Sequence, residues 1–252
     1  MYAHLRDMQL RQSLETEHGL FMAEGEKIIV RALEQGLVPV SFLLAPRWLE
    51  NLRPLIESSG AECFLLDESE IEKLTGFHVH RGALALFSRP SPLTALELLS
   101  SAQRVLVLED LADHTNIGAI FRTAAALDWD AVLLSPRCAD PWYRRAIKVS
   151  MGAVFSMPFA YVEDWYALPE QLSAAGFHSL AMTLSEDSVA LTEVDLAPEE
   201  KIGLIVGSEG HGISEHWQST ARTRVNIPMR ENIDSLNVAA SVAIACWELR
   251  AK

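Results

Sequence analysis

Short apolar runs alternate along most of this chain with stretches in which apolar residues recur every three or four positions. In the first third the helical pattern covers 24–35, where Ile28, Ile29, Ala32 and Leu33 share a face, then 48–58 and 68–74. Strand-like runs fall at 40–44, 63–66 and 83–87. Pairing is then interrupted by Ser88-Arg89-Pro90-Ser91-Pro92, which predicts a boundary between a domain at 1–90 and a second at 91–252. In the second stretch strands are expected at 105–108, 131–134, 157–161, 179–182, 202–206 and 224–227, separated by helices. Apolar strands divided by helices predict an α/β architecture whose parallel sheet is covered on both faces. Ligands of such sheets sit beyond the carboxyl ends of the strands. The final helix, from about 235 to 250, is apolar nearly all round, so it needs cover on two sides, and a homodimer is expected to supply the second.

Composition narrows the classes. With 252 residues and 49% apolar content the chain can bury full cores. A formal charge of −13 argues against broad electrostatic adhesion to nucleic acid or anionic membrane, so any nucleic-acid contact must be local. The first twelve residues lack a hydrophobic signal core, and no apolar run approaches the roughly 20 residues of a membrane span, so a cytoplasmic protein is expected. Cys63, Cys138 and Cys246 are far apart and form no CxxC pair, which predicts reduced core thiols and neither a disulfide framework nor a metal site. The acidic run 186–200 reads as a solvated loop.

Candidate chemistry gathers where strands end. Asn116 precedes the apolar face Ile117, Ile120, Phe121, Ala124 and Leu127, and is expected to cap that helix. Arg122 lies off the face and is either a bidentate anchor for phosphate or carboxylate or a plain exposed arginine. After the strand at 202–206 comes Gly207-Ser208-Glu209-Gly210-His211-Gly212, whose G-x-x-G-x-G spacing and late position disfavour a nicotinamide site. Its glycines serve either close ligand approach or a tight turn. Glu209 either orients a neighbour at the sheet's mouth or complements a helix starting near Ser214. Ser235 is expected to cap the last helix.

Three runs occur in the order found in one family: 109–124, containing Asp113-His114-Thr115-Asn116 and Phe121-Arg122; Leu204-Ile205-Val206-Gly207-Ser208-Glu209-Gly210; and Ile227-Pro228-Met229 followed by Ser235-Leu236-Asn237-Val238. Together they resemble the SpoU/TrmH family of the SPOUT methyltransferases from about residue 105 onward. Phe21 to Lys27 and His80 to Ala85 also look like the ribosomal-L30e-like substrate-binding domain that often precedes that catalytic domain. The resemblance implies S-adenosylmethionine as cofactor, transfer of its methyl to a ribose 2′-hydroxyl of tRNA or rRNA, and a parallel sheet whose C-terminal segment threads a deep trefoil knot. It carries cofactor contacts to Gly207, Ile227 and Leu236, with Met182, Thr183 and Met229 as neighbours, and catalytic positions to Asn116, Arg122, Glu209, Ser235 and Asn237. In the family these positions assemble across a dimer interface.

An SN2-like transfer from a sulfonium gains most of its rate from alignment and from stabilising the developing alkoxide, so no metal is needed. A guanidinium stays protonated at neutral pH, which favours Arg122 as electrostatic activator over base. Where many relatives carry Asp-Pro before the asparagine, this chain has Asp113-His114-Thr115. Arg137, Arg144, Arg145 and Lys148 are its densest basic cluster and the expected RNA-facing patch. His114 and His211 read as loop histidines, and no chemistry is expected of His78 and His80. Three alternatives stay open: a SPOUT enzyme acting on a base nitrogen, a catalytically silent RNA-binding or ribosome-assembly factor, and a nucleotide-dependent oxidoreductase.

Overall fold

A computed structural model describes residues 1–3, 5, 15–76, 82–197, 199–230 and 235–250. His78, His80 and Arg81 lie outside the described residues. The chain forms two compact units, one of Met1–Ser91 with Pro141–Phe155, the other of Pro92–Asp140 with Ser156–Lys252.

The first unit holds a mixed four-stranded sheet, β1 (Leu20–Glu24), β2 (Pro39–Leu44), β3 (Glu62–Leu65) and β4 (Ala83–Ser88), in the order β1-β4-β2-β3. Its helices are α1 (Glu26–Glu34), α2 (Pro46–Ser59) and α3 (Glu68–Thr75). Strand β1 is absent from the sequence reading, which extends a helix back to residue 24. Four of its five residues are buried without alternation, a pattern that periodicity does not separate from helix. The break falls at Gly25, whose φ of 92° a side chain would resist. Met22, Leu43, Leu84 and Ile71 meet in this unit's core.

The segment Pro141–Phe155 groups with this first unit although it lies far beyond residue 90. It contains α4 (Arg144–Val149), and Trp142 and Phe155 pack on Phe21 with centroids 4.9 and 5.5 Å away. Helix periodicity carries no information about which of two cores a short helix joins.

In the second unit every strand pair among the described residues is parallel. The strands are β5 (Arg104–Leu108), β6 (Ala131–Leu134), β7 (Phe159–Tyr161), β8 (Phe177–Met182), β9 (Val189–Ala190), β10 (Lys201–Val206) and β11 (Thr223–Asn226), in the order β7-β6-β5-β10-β8-β11-β9. Its helices are α5 (Ala95–Ser101), α6 (His114–Ala126), α7 (Leu168–Ala174), α8 (Glu215–Thr220) and α9 (Val238–Glu248). From β5 the chain first builds outward through β6 and β7, then crosses to place β8, and only afterwards fills the gap between β5 and β8 with β10. The carboxyl ends of the neighbouring strands β10, β8 and β11 lie beside that reversal, where such sheets hold their ligands.

The acidic run is not simply a loop: it contributes the edge strand β9 and buried Leu191. Cys138 and Cys246 are buried, and burial pushes the Cys246 thiol up to about 12, whereas Cys63 is only half-buried on edge strand β3. No helix among the described residues is long and apolar enough to cross a membrane.

Candidate functional site

A cavity of about 530 Å³ opens at those strand ends, within the range of small-molecule sites. Its wall is built from loops at the strand ends: 182–185 after β8, 206–213 after β10, and 225–229 with 235–241 after β11. Met182, Thr183, Gly207, Ile227, Met229 and Leu236 all line it, as do Glu209 and Ser235.

The loop after β10 curls back on itself. Gly212 donates its N–H to the Ser208 carbonyl at 2.8 Å with φ at 63°. A Cβ on Gly207 would stand 2.0 Å from the Gly212 carbonyl oxygen, so the glycine is demanded by backbone against backbone. Of the two roles open to the loop glycines, the tight turn therefore accounts for Gly207.

Glu209 leaves this loop to meet two carboxamides. Asn116 donates Nδ2–H to Glu209 Oε1 at 3.1 Å, and Asn237 donates to the same oxygen at 2.5 Å and to Asn116 Oδ1 at 3.1 Å. Residues separated by as many as 121 positions thus close one triangle at the cavity's edge. Asn116 is buried within it.

Two expected caps differ from those observed. Helix α6 begins at His114 and is capped by Asp113, whose Oδ1 accepts from Thr115 N–H at 2.6 Å. Asn116 therefore sits inside the first turn with its carboxamide released for Glu209. Helix α9 is capped by Asn237, whose Oδ1 accepts from Ala239 and Ala240 N–H at 3.0 and 3.3 Å, and not by Ser235. One Asn237 side chain therefore starts a helix with its oxygen and ties the polar triangle with its nitrogen.

Glu109, which the sequence reading passes over, is a buried carboxylate directly after β5. It accepts from Ser214 N–H at 2.7 Å and from Trp165 Nε1–H at 3.1 Å, and so supports the far end of the cavity loop. The helix near Ser214 is thus served by Glu109, while Glu209 faces the asparagines. Next to Glu109, Asp110 takes a left-handed φ of 56° and is held by Ser135 Oγ at 2.8 Å and by an ion pair with Arg137.

Residues 103–247 match the SpoU rRNA methylase family model, more than half of the chain. The chain belongs to the SpoU rRNA methylase family. It is 36% identical over 98% of its length, and 86% of the relative's, to an uncharacterized tRNA/rRNA methyltransferase of Mycobacterium tuberculosis. It is 26% identical to the 23S rRNA (guanosine(2553)-2′-O)-methyltransferase RlmP of Bacillus subtilis, over 93% of this chain and 90% of that one. In fold it is similar to an AdoMet-bound rRNA methyltransferase of Sinorhizobium meliloti, with a TM-score of 0.83 and 23% identity over 98% of this chain and 95% of the other. The α/β fold with its parallel sheet is therefore that of SPOUT methyltransferases, and the protein is an RNA methyltransferase of the SpoU family.

In this SpoU protein Arg122 takes no part in the hydrogen bonds of the triangle. It is exposed on α6 and makes no hydrogen bond or ion pair with any described residue. The cationic residues do not share one role. Arg144 and Lys148 both reach the buried Glu24 carboxylate, at 2.7 and 2.9 Å, inside the first unit. Burial alone would raise the Glu24 carboxyl, but the hydrogen bond from Lys148 and the charges of both cations outweigh it and hold it below the usual carboxylate range. Arg145 is exposed on the same helix. Arg137 belongs to the second unit, and its guanidinium pKa is raised by the hydrogen bond to Asp110 and then by that residue's charge.

Proposed function

We propose that this protein transfers the methyl group of S-adenosylmethionine to a ribose 2′-hydroxyl of tRNA or rRNA. The observation that carries the reading is the Asn116–Glu209–Asn237 triangle at the edge of a cavity bounded by three strand-end loops. The 2′-O activity in the name of the Bacillus relative and the AdoMet held by the Sinorhizobium structure support it.

The cavity fits such a cofactor in size and chemistry. Its wall alternates apolar side chains, among them Val206, Ile213, Ile227 and Leu236, with exposed loop backbone that can satisfy an adenosine's polar edge. The carboxylate of Glu209 places negative charge on the wall that a sulfonium would face. When bound, the cofactor supplies a methyl group on positively charged sulfur. The chain's own residues fix the acceptor. The triangle holds the Glu209 carboxylate in one orientation by two N–H donors, and Ser235 adds a hydroxyl to the same wall. Stabilising the developing alkoxide falls to a cation.

Arg122 is that cation in this reading, and it serves the site of a second copy. Helix α9 exposes Ala240, Ile244 and Trp247 at helical spacing, with Ile244 and Trp247 at 44% and 56% exposure. A homodimer formed on this face covers it and brings exposed α6 of one copy towards the other. The strand-end loops form the trefoil knot of this fold, and the first unit presents the RNA in the manner of an L30e-like domain. The protein works in the cytoplasm.

Incubation with methyl-labelled S-adenosylmethionine and total tRNA or rRNA tests the reading. Label is expected in RNA with the native protein and is expected to fall about a hundredfold or more in Arg122→Ala and Glu209→Ala. Undiminished transfer by both variants overturns the assignment of the site.

A further inference from the structure

Another group of residues at the carboxyl edge of the second unit plays no part in the chemistry above. Tyr166, in the single turn Trp165–Ala167 beyond β7, is 75% exposed, more than any other large hydrophobic residue described. It is nevertheless anchored. Its ring meets His216 edge to face with centroids 5.1 Å apart, His216 meets Trp217 at 5.9 Å, and Trp217 is fully buried against Trp165 at 5.7 Å. Trp165 in turn bonds to Glu109, the carboxylate that also holds Ser214 at the end of the cavity loop. A ring this exposed loses the benefit of burial, yet it is held by a chain of contacts leading to the cavity wall.

Arg137 follows β6, the strand paired with β7, and its side chain is 82% exposed while Asp110 holds one end of the guanidinium. Four of its five N–H donors are left for a partner beyond Asp110.

We propose that Tyr166 and Arg137 form an RNA-contacting surface, in which the tyrosine ring stacks an unpaired base of the substrate and the arginine holds its phosphate. The inference rests on membership of an RNA methyltransferase family and not on whether ribose or base is methylated. In a protein of charge −13 counterion release is confined to local cationic contacts. Glu163 and Asp164 stand immediately before Trp165, so charge is weakly favourable at this edge and an uncharged contact must carry more of the binding. Stacking on an exposed aromatic ring is that contact, and it selects unpaired over duplex RNA because only an unpaired base offers its face.

The test measures equilibrium binding of a short single-stranded oligouridine and of an RNA duplex of equal length, without methyl donor, over a range of salt concentrations. The native protein is expected to prefer the single strand, Tyr166→Ala to bind it about tenfold or more weakly with an unchanged salt slope, and Tyr166→Phe to bind as the native protein does. Arg137→Ala is expected to lower the salt slope by about one. Calorimetry with S-adenosylmethionine is expected to give the same affinity for Tyr166→Ala as for the native chain. Equal binding of single strand and duplex, unchanged binding by Tyr166→Ala, or a parallel loss of S-adenosylmethionine affinity overturns the proposal. Because binding is read without transfer, a methyl group later found on a base would leave this result standing.

Discussion

At the scale of single residues, Asn237 joins two functions that substitution can separate. Asn237→Ser keeps an oxygen for the α9 cap but loses the N–H donors to Glu209 and Asn116, whereas Asn237→Ala loses both. Thermal denaturation should therefore find the alanine variant about 1 kcal/mol less stable than the serine variant, while methyl transfer is low in both. Glu24 gives a second test, set by pH. Its carboxyl is lowered in the folded protein, so it contributes stability above its unfolded value of about 4.3, and that stability is lost as pH falls through the folded value. Melting curves should show Glu24→Gln destabilised at neutral pH by roughly 2 kcal/mol, less than the roughly 3–5 of a fully buried pair because Lys148 is half exposed. The gap should narrow below the carboxylate range. Asn116, Glu209 and Asn237 were legible in the sequence through their family runs. Which of several neighbouring polar residues becomes the cap was not, since Asp113, Asn116, Ser235 and Asn237 all suit the position and backbone geometry decides. Glu109 escaped because its partners Trp165 and Ser214 lie 56 and 105 positions away.

Elements were read well where periodicity is unambiguous and poorly where burial hides it. The β6 run of Ala131 to Leu134 and the helical face of Ile117, Ile120, Phe121 and Ala124 stand as the pattern predicts. Strands β1 and β9 do not, the first because its residues are buried on both faces, the second because two residues within an acidic run carry no pattern. The order β10-β8-β11, whose carboxyl ends carry the cavity, rests on long-range pairing that no local signal encodes. The loop after β10 supplies the test at this scale. In Gly207→Ala the new methyl meets Gly212 backbone at 2.0 Å, so the loop must open. Calorimetry should show at least about a tenfold loss of S-adenosylmethionine affinity, equivalent to about 1.4 kcal/mol, while far-ultraviolet circular dichroism stays native. Unchanged affinity would show that the curl of the loop does not shape the site.

For the whole molecule, the proposed reading places Arg122 of one copy at the site of another. Trp247→Glu should place a charge in the α9 face, giving a monomer by analytical ultracentrifugation and little transfer. Mixed dimers of Arg122→Ala and Glu209→Ala chains should recover activity that neither variant shows alone, since one of their two sites then draws every group from an unaltered residue. Failure to recover would place Arg122 and Glu209 in the same copy's site. The acidity of the chain, read from composition, argues against broad adhesion to RNA without excluding RNA as substrate, because recognition can rest on local contacts. Methylation of ribose is decided by alkaline hydrolysis of RNA labelled by the native protein. Alkali cleaves through the free 2′-hydroxyl, so a methylated ribose protects the bond on its 3′ side. Label is expected in alkali-resistant dinucleotides; label released as mononucleotides would place the methyl on a base and overturn ribose as the acceptor.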